Sequence, residues 1–176
     1  LGFDASGNPG IGFYDATLGD LKYAHLVGAA WQTEVVDGGT SPGGAGDVGA
    51  YCSLRFDPLG RPCLSYYDAT NGDLKYACWS GTEWRVETVD GVGLTGLYTS
   101  LAFDAAGHPA VSYQDATRGA LRMARWDGEK WGMTTIDDAQ AAGRWTSLAF
   151  DSCGSLAVSY DAAANGDQMF ASPCNP

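Results

Sequence analysis

The stretch Tyr66-Tyr67-Asp68-Ala69-Thr70-Asn71-Gly72-Asp73-Leu74-Lys75-Tyr76-Ala77 decides the fold. Two apolar runs flank a polar turn rich in Asp, Asn and Gly, the pattern of a β-hairpin. The same hairpin stands at Tyr14–Ala24 and Tyr113–Ala124, and in a more degenerate form at Tyr160–Ala171. Phe-Asp pairs at Phe3-Asp4, Phe56-Asp57, Phe103-Asp104 and Phe150-Asp151 give intervals of 53, 47 and 47 residues. The extra length of the first interval falls in the Gly-rich link Gly38–Ala50, so the unit is 47 residues long. A period of that length is the signature of a repeat architecture and takes precedence over local signals.

Each unit divides into four strand candidates. The first is the Ser-Leu-Ala-Phe-Asp segment, as at Ser100–Asp104 and Ser147–Asp151. The second is exemplified by Ala110–Tyr113, the third by Leu74–Trp79 and the fourth by Trp84–Val89. Short turns join strands within a unit, and longer links such as Asp90–Tyr98 and Asp137–Trp145 join one unit to the next. No window sustains a helical period, and Gly or Pro interrupts the chain too often for one. The expectation is an all-β propeller in one domain, built from four repeats of four-stranded antiparallel blades at residues 1–50, 51–97, 98–144 and 145–176. The last blade lacks its outer strand, which leaves Gln168, Met169 and Phe170 on a bare edge. Folded proteins seldom leave such an edge uncovered, so another segment or chain is expected over it.

With 176 residues the chain is long enough for a real core. Ten basic against 21 acidic residues give a net charge of −11. That charge excludes the basic footprint of a nucleic-acid binder. No apolar run reaches the length of a membrane-spanning helix. Leu1 falls inside a repeat, in phase with Leu54, Leu101 and Leu148, as expected of a processed chain or part of a longer polypeptide.

The repeat resembles the bacterial β-propeller blades grouped with sialidase-type (BNR or Asp-box) and seven-bladed lectin-like propellers. An Asp box reads Ser-x-Asp-x-Gly-x-Thr-Trp. Counted back from Trp131, this chain keeps Gly128 and has Ala124 and Trp126 where the box has Ser and Asp. The resemblance implies an extracellular or envelope-exposed, non-catalytic recognition or scaffold module for protein or glycan. The alternatives are a lectin proper and a sialidase-like glycoside hydrolase.

Among the five cysteines, Cys63 and Cys78 lie symmetrically about the Asp68–Asp73 turn and so face each other across a hairpin. Cys153 and Cys174 fall at one end of the last blade, where a bridge would tie down the terminus. Cys52 is left over, or competes for Cys63.

Trp31, Trp84 and Trp131 share a register and read as packing between blades. Trp79 and Trp126 end third strands and are the candidates for stacking on a sugar. Asp68, Asp73 and Asp115, on the other face, are ligand-binding candidates, with Ca²⁺ as the ion their oxygens would suit. The competing reading is that such residues cap their own turns. His25 and His108 occupy unrelated repeat positions, so no catalytic set is assigned. Arg55, Arg118 and Arg144 break the repeat and are the one arginine set a sialidase-like site would draw on.

Overall fold

The computed structural model describes residues 1–39, 46–162 and 167–172. Its strands are β1 (Gly2–Phe3), β2 (Pro9–Asp15), β3 (Asp20–Val27), β4 (Ala30–Asp37), β5 (Val48–Phe56), β6 (Pro62–Asp68), β7 (Asp73–Trp79), β8 (Trp84–Asp90), β9 (Thr95–Phe103), β10 (Pro109–Asp115), β11 (Ala120–Trp126), β12 (Trp131–Asp137), β13 (Ala142–Phe150), β14 (Leu156–Ala162) and β15 (Asp167–Ala171). They form three four-stranded meanders and a last sheet of three strands, all antiparallel, with no helix among the described residues. We number these sheets one to four in chain order. The arrangement is all-β and propeller-like.

Side-chain periodicity explains why the sheets stack. Leu21, Leu74 and Leu121, at the start of each third strand, are fully buried, and Leu54, Leu101 and Leu148 on the first strands are nearly so. Each such leucine stabilises the fold by roughly 1.5–3 kcal/mol of apolar burial. Three separate cores result, one for each pair of consecutive sheets. Among the described residues the first sheet does not pack on the fourth as consecutive sheets pack on one another.

The leading strands run longer than the sequence pattern implies. β9 begins at Thr95 and β13 at Ala142, well before Ser100 and Ser147. A bulge hides the continuity, because register shifts in β5, β9 and β13 break the alternation. At the bulge Tyr51, Tyr98 and Trp145 carry left-handed φ values of 55°, 54° and 50°. The carbonyls of Tyr51 and Tyr98 are thereby turned toward the next sheet: Thr99 Oγ1 donates to Tyr51 O at 2.8 Å, and Thr146 Oγ1 to Tyr98 O at 3.2 Å. The three rings form a ladder, with centroids 4.5 and 4.6 Å apart.

Cys63 and Cys78 are directly opposed in β6 and β7 and are joined in a disulfide, as the hairpin symmetry implied. Cys52 and Cys153 are free thiols. The expected partner of Cys153, Cys174, lies outside the described residues. β15 pairs with β14, and Met169 and Phe170 are 41% and 69% exposed on it.

Candidate functional site

Cross-strand registry brings the tryptophans together. Trp79 ends β7 opposite Trp84, which starts β8, and Trp126 ends β11 opposite Trp131, which starts β12. The turns between them are closed by side chains. The Ser80 hydroxyl donates to Glu83 O at 2.8 Å, and Asp127 Oδ1 accepts from Glu129 N and Lys130 N, each at 2.9 Å. Trp84 meets Tyr23 of the preceding sheet edge-on at 5.5 Å and Trp79 at 5.6 Å. One repeat later Trp131 meets Tyr76 at 5.4 Å and Trp126 at 5.7 Å in the same way. Edge-to-face contacts of this kind each stabilise by about 0.5–1.5 kcal/mol beyond burial. Trp84 and Trp131 therefore pack between sheets, as their register implied, whereas Trp31 is 50% exposed.

Between the second and third sheets this aromatic frame borders a cleft of about 650 Å³. Trp79 stands on its second-sheet side, Trp126 and His108 on its third-sheet side, with Arg61, Arg85 and Glu87 also lining it. Between the first and second sheets lies a smaller cleft of about 300 Å³. The two are the same site at successive repeats. Tyr23, Glu34, Phe56 and Trp79 line the smaller cleft where Tyr76, Glu87, Phe103 and Trp126 line the larger. Their differences are specific: Leu26 replaces Trp79, Asn8 replaces Arg61 and His25 replaces Cys78.

Polar groups in the larger cleft are partly committed. Asp57 Oδ1 accepts from Leu59 N at 2.9 Å and Arg61 N at 2.8 Å, while Oδ2 accepts from Arg61 Nε at 2.7 Å. The guanidinium of Arg61 is thus held beside the cleft by a carboxylate that also shapes its turn. His108 Nδ1 lies 3.6 Å from Asp104 Oδ2. Burial, followed by the nearby charges of Asp57 and Glu87, raises the Tyr76 phenol well above its ordinary range, so it stays protonated. Glu87 is exposed.

The aspartates singled out in the sequence lie elsewhere. Asp68 and Asp73 close the opposite end of β6 and β7, about 20 Å along the strands from Trp79. Asp68 Oδ1 accepts from Thr70 N and Asn71 N, both at 3.0 Å, and Asp115 Oδ1 from Arg118 N at 3.0 Å. Arg118 Nη1 takes Asp115 Oδ2 at 2.6 Å, so this arginine is tied to its own turn. Burial and the Asp68 charge push the Asp73 carboxyl upward. The oxygens of Asp68 and Asp115 that a calcium ion would use are hydrogen-bonded within their own turns. Among the described residues, the one trio of His, Cys and carboxylate atoms close enough for an ion is Asp57, Cys63 and Cys78, and it contains the disulfide.

Sequence reasoning paired Trp79 with Trp126 but missed Arg61, Glu87 and His108. The signal was present, because Glu34 and Glu87 share a register and Arg61 and His108 both precede the proline that opens a second strand.

No family model matches the chain, and no curated protein does. Solved structures do. The SapL1 lectin in complex with alpha methyl fucoside superposes with a TM-score of 0.64 at 13% identity, over 94% of this chain and 58% of its own. A triple arginine mutant of AofleA from Arthrobotrys oligospora superposes with a TM-score of 0.59 at 17% identity, over 96% of this chain and 58% of its own. The likeness is one of fold. This chain spans 58% of the length of each.

Proposed function

We propose that the chain is a non-catalytic, carbohydrate-binding recognition module whose ligand sites are the clefts between consecutive sheets. The observation that carries this reading is the paired Trp79 and Trp126 at one cleft with Arg61, Arg85 and Glu87 beside them. Sugar rings present an apolar face of C–H bonds and an equatorial rim of hydroxyls. An indole face takes the first, and a guanidinium with a carboxylate takes the second. The fold shared with a lectin that holds a methyl fucoside supports the same reading. Glycoside hydrolysis in its usual form needs two carboxyl groups flanking the bond. Here Asp57 is tied to Arg61 and its own turn, leaving Glu87 alone in the cleft. The Cys63–Cys78 bridge fits an oxidising, extracellular setting.

A glycan array probed with the chain and with its Trp126→Ala and Trp79→Ala variants tests the proposal. Trp126→Ala should weaken binding about tenfold, the effect of losing about 1.4 kcal/mol of stacking. Trp79→Ala should weaken it further, because Trp79 lines both clefts. Binding unaffected by both substitutions would dispose of the clefts, and binding to no glycan would dispose of the function.

A further inference from the structure

The two clefts differ in charge, and the repeat shows where. Asp57 and Glu87 line the larger, and their register-mates Asp4 and Glu34 line the smaller. The bases change instead. Arg61 of the larger cleft stands where the smaller has Asn8, and Arg85, opposite Cys78, stands where Gln32 lies opposite His25. Two arginines therefore balance two acids in the larger cleft, whereas no Lys or Arg lines the smaller. In a chain with ten basic residues and a net charge of −11, that placement departs locally from an acidic surface.

The turns that carry these residues differ in what they leave free. Asp4 Oδ1 accepts from Asn8 N at 2.8 Å, and Oδ2 from Asn8 Nδ2 at 3.0 Å. Asp57 repeats this turn with Arg61, whose Nε and Nη2 lie 2.7 and 2.6 Å from Asp57 Oδ2. One edge of the planar guanidinium is thereby fixed on a carboxylate that is 7% exposed, and the edge carrying Nη1 is left for the cleft. A fork immobilised in this way matches the two oxygens of a carboxylate and loses little freedom on binding one. Arg85 adds charge at the same end, because it lies opposite Cys78, which lies opposite Cys63, two residues beyond Arg61. Its ion-pair partner Glu83 is 3.9 Å away with both side chains exposed, a weak tie. Glu87 lies two residues on in β8, about 7 Å farther along the strand.

We infer that the larger cleft selects sugars that carry a carboxylate, the hexuronic acids, with Arg61 as the residue that reads the charged group. This rests on the carbohydrate-binding role proposed for the cleft and names the ligand class of that same site. The acid group meets the open edge of Arg61, and Arg85 adds attraction at that end. The pyranose ring lies against the cleft tryptophans, and its far hydroxyls donate to Glu87, which the strand spacing keeps apart from the ligand's own charge. Asn8 and Gln32 leave the smaller cleft without this preference.

Tryptophan fluorescence titrations on the 176-residue chain test the inference. The probes, at millimolar concentrations, are the methyl glycosides of glucuronic, galacturonic and mannuronic acid, each set against its neutral parent hexoside. The members of a pair differ only in a carboxylate for a hydroxymethyl group. At least one uronate should bind about tenfold more tightly than its parent, the effect of one charge-assisted contact. Arg61→Asn copies the turn that Asn8 makes with Asp4, so it should fold and bring that ratio close to one. Arg85→Gln copies Gln32 and should lower the ratio by a smaller factor. Parents that bind as tightly as their uronates in every pair, the absence of binding by any uronate, or a preference that survives Arg61→Asn overturns the inference. The glycan array scores the wider reading separately. Neutral glycans held through Trp126 leave the cleft a sugar site and remove only the acid class, whereas binding to no glycan removes both.

Discussion

Tyr113 donates its phenolic hydrogen to Asp90 Oδ2 at 2.6 Å, reaching from the third sheet back to the end of the second. Arg122 Nη1 binds the same oxygen at 2.6 Å. One repeat earlier Tyr66 and Lys75 converge on Asp37 in the same way, and one repeat later Tyr160 donates to Asp137. These latches join consecutive sheets where the chain passes between them. Asp90 is 3% exposed, so its charge is tolerated only because partners surround it. Tyr113→Phe should cost about 1–3 kcal/mol, the range for leaving a buried acceptor short of its donor. Tyr160→Phe should cost less, since Asp137 is only half-buried and Met169 stands where Lys75 and Arg122 stand. Urea midpoints at constant slope read the difference.

The same burial makes stability sensitive to alkali. Burial first, with the charge of the partner carboxylates added, raises the phenols of Tyr66 and Tyr113 far above their ordinary value. Tyr23 is pushed up to about 12 by burial, then by Glu34 and Asp4. Tyr160 is pushed up to about 12 by burial and by its bond to Asp137. A raised folded-state value means that the folded protein holds the proton more tightly than the unfolded chain. The stabilisation is therefore complete below pH about 10 and is lost as pH climbs from about 10 toward 12. Urea midpoints measured at about pH 8, 9 and 11 (set below and above the reference tyrosine value of about 10) should hold between the first two and fall at the third. A midpoint rising above pH 10 contradicts the assignment.

Most of the architecture was legible because the repeat encodes it four times. Phe56-Asp57, Phe103-Asp104 and Phe150-Asp151 end leading strands, and the Asp68–Asp73 hairpin falls where its turn chemistry requires. The bulges were not legible. A left-handed φ at Tyr98 carries no local sign, because Gly or Asn is the residue that usually marks one. The site was half legible. Repeated aromatics pointed to Trp79 and Trp126, but a cleft is a property of two sheets, and nothing within one repeat reveals that Arg61 and Glu87 face the next. Asp68, Asp73 and Asp115 drew notice through density alone, and their bonds show two of them serving their turns.

Close approach between sheets requires glycine at one register of the leading strands, at Gly49, Gly96 and Gly143. Gly96 has a φ of 94°, and a Cβ there would lie 2.6 Å from Leu74 Cα, which is backbone and cannot yield. Gly143 meets Leu121 Cα at 2.9 Å in the same register. Gly96→Ala combines backbone strain with a clash in the second interface, and should cost more than about 2 kcal/mol. Gly7→Ala has nothing within 4 Å and is the control: its φ of 80° brings the strain without the clash. Thermal melts of the two variants separate the contributions, and equal losses would refute the steric argument.

The cysteines give the last prediction. Cys63 is fully buried, and its bond to Cys78 spans a sequence separation of 15. Closing a loop of that size removes unfolded-state entropy worth about 3 kcal/mol, so the Cys63→Ala/Cys78→Ala double variant should lose about 2–4 kcal/mol. The free thiols differ in reactivity for a physical reason. Burial raises the Cys52 thiol above its ordinary value, which leaves little of the nucleophilic thiolate near neutral pH. Cys153 is exposed, with its backbone N–H held by Asp151 Oδ1 at 2.8 Å. Iodoacetamide applied to the native protein at neutral pH should therefore label Cys153 and spare Cys52, which reacts once denaturant is added. Peptide mapping identifies each site. Native labelling of Cys52 at the rate of Cys153 would show that the packing around β5 is looser than described, and labelling of Cys63 or Cys78 without reductant would exclude the bridge.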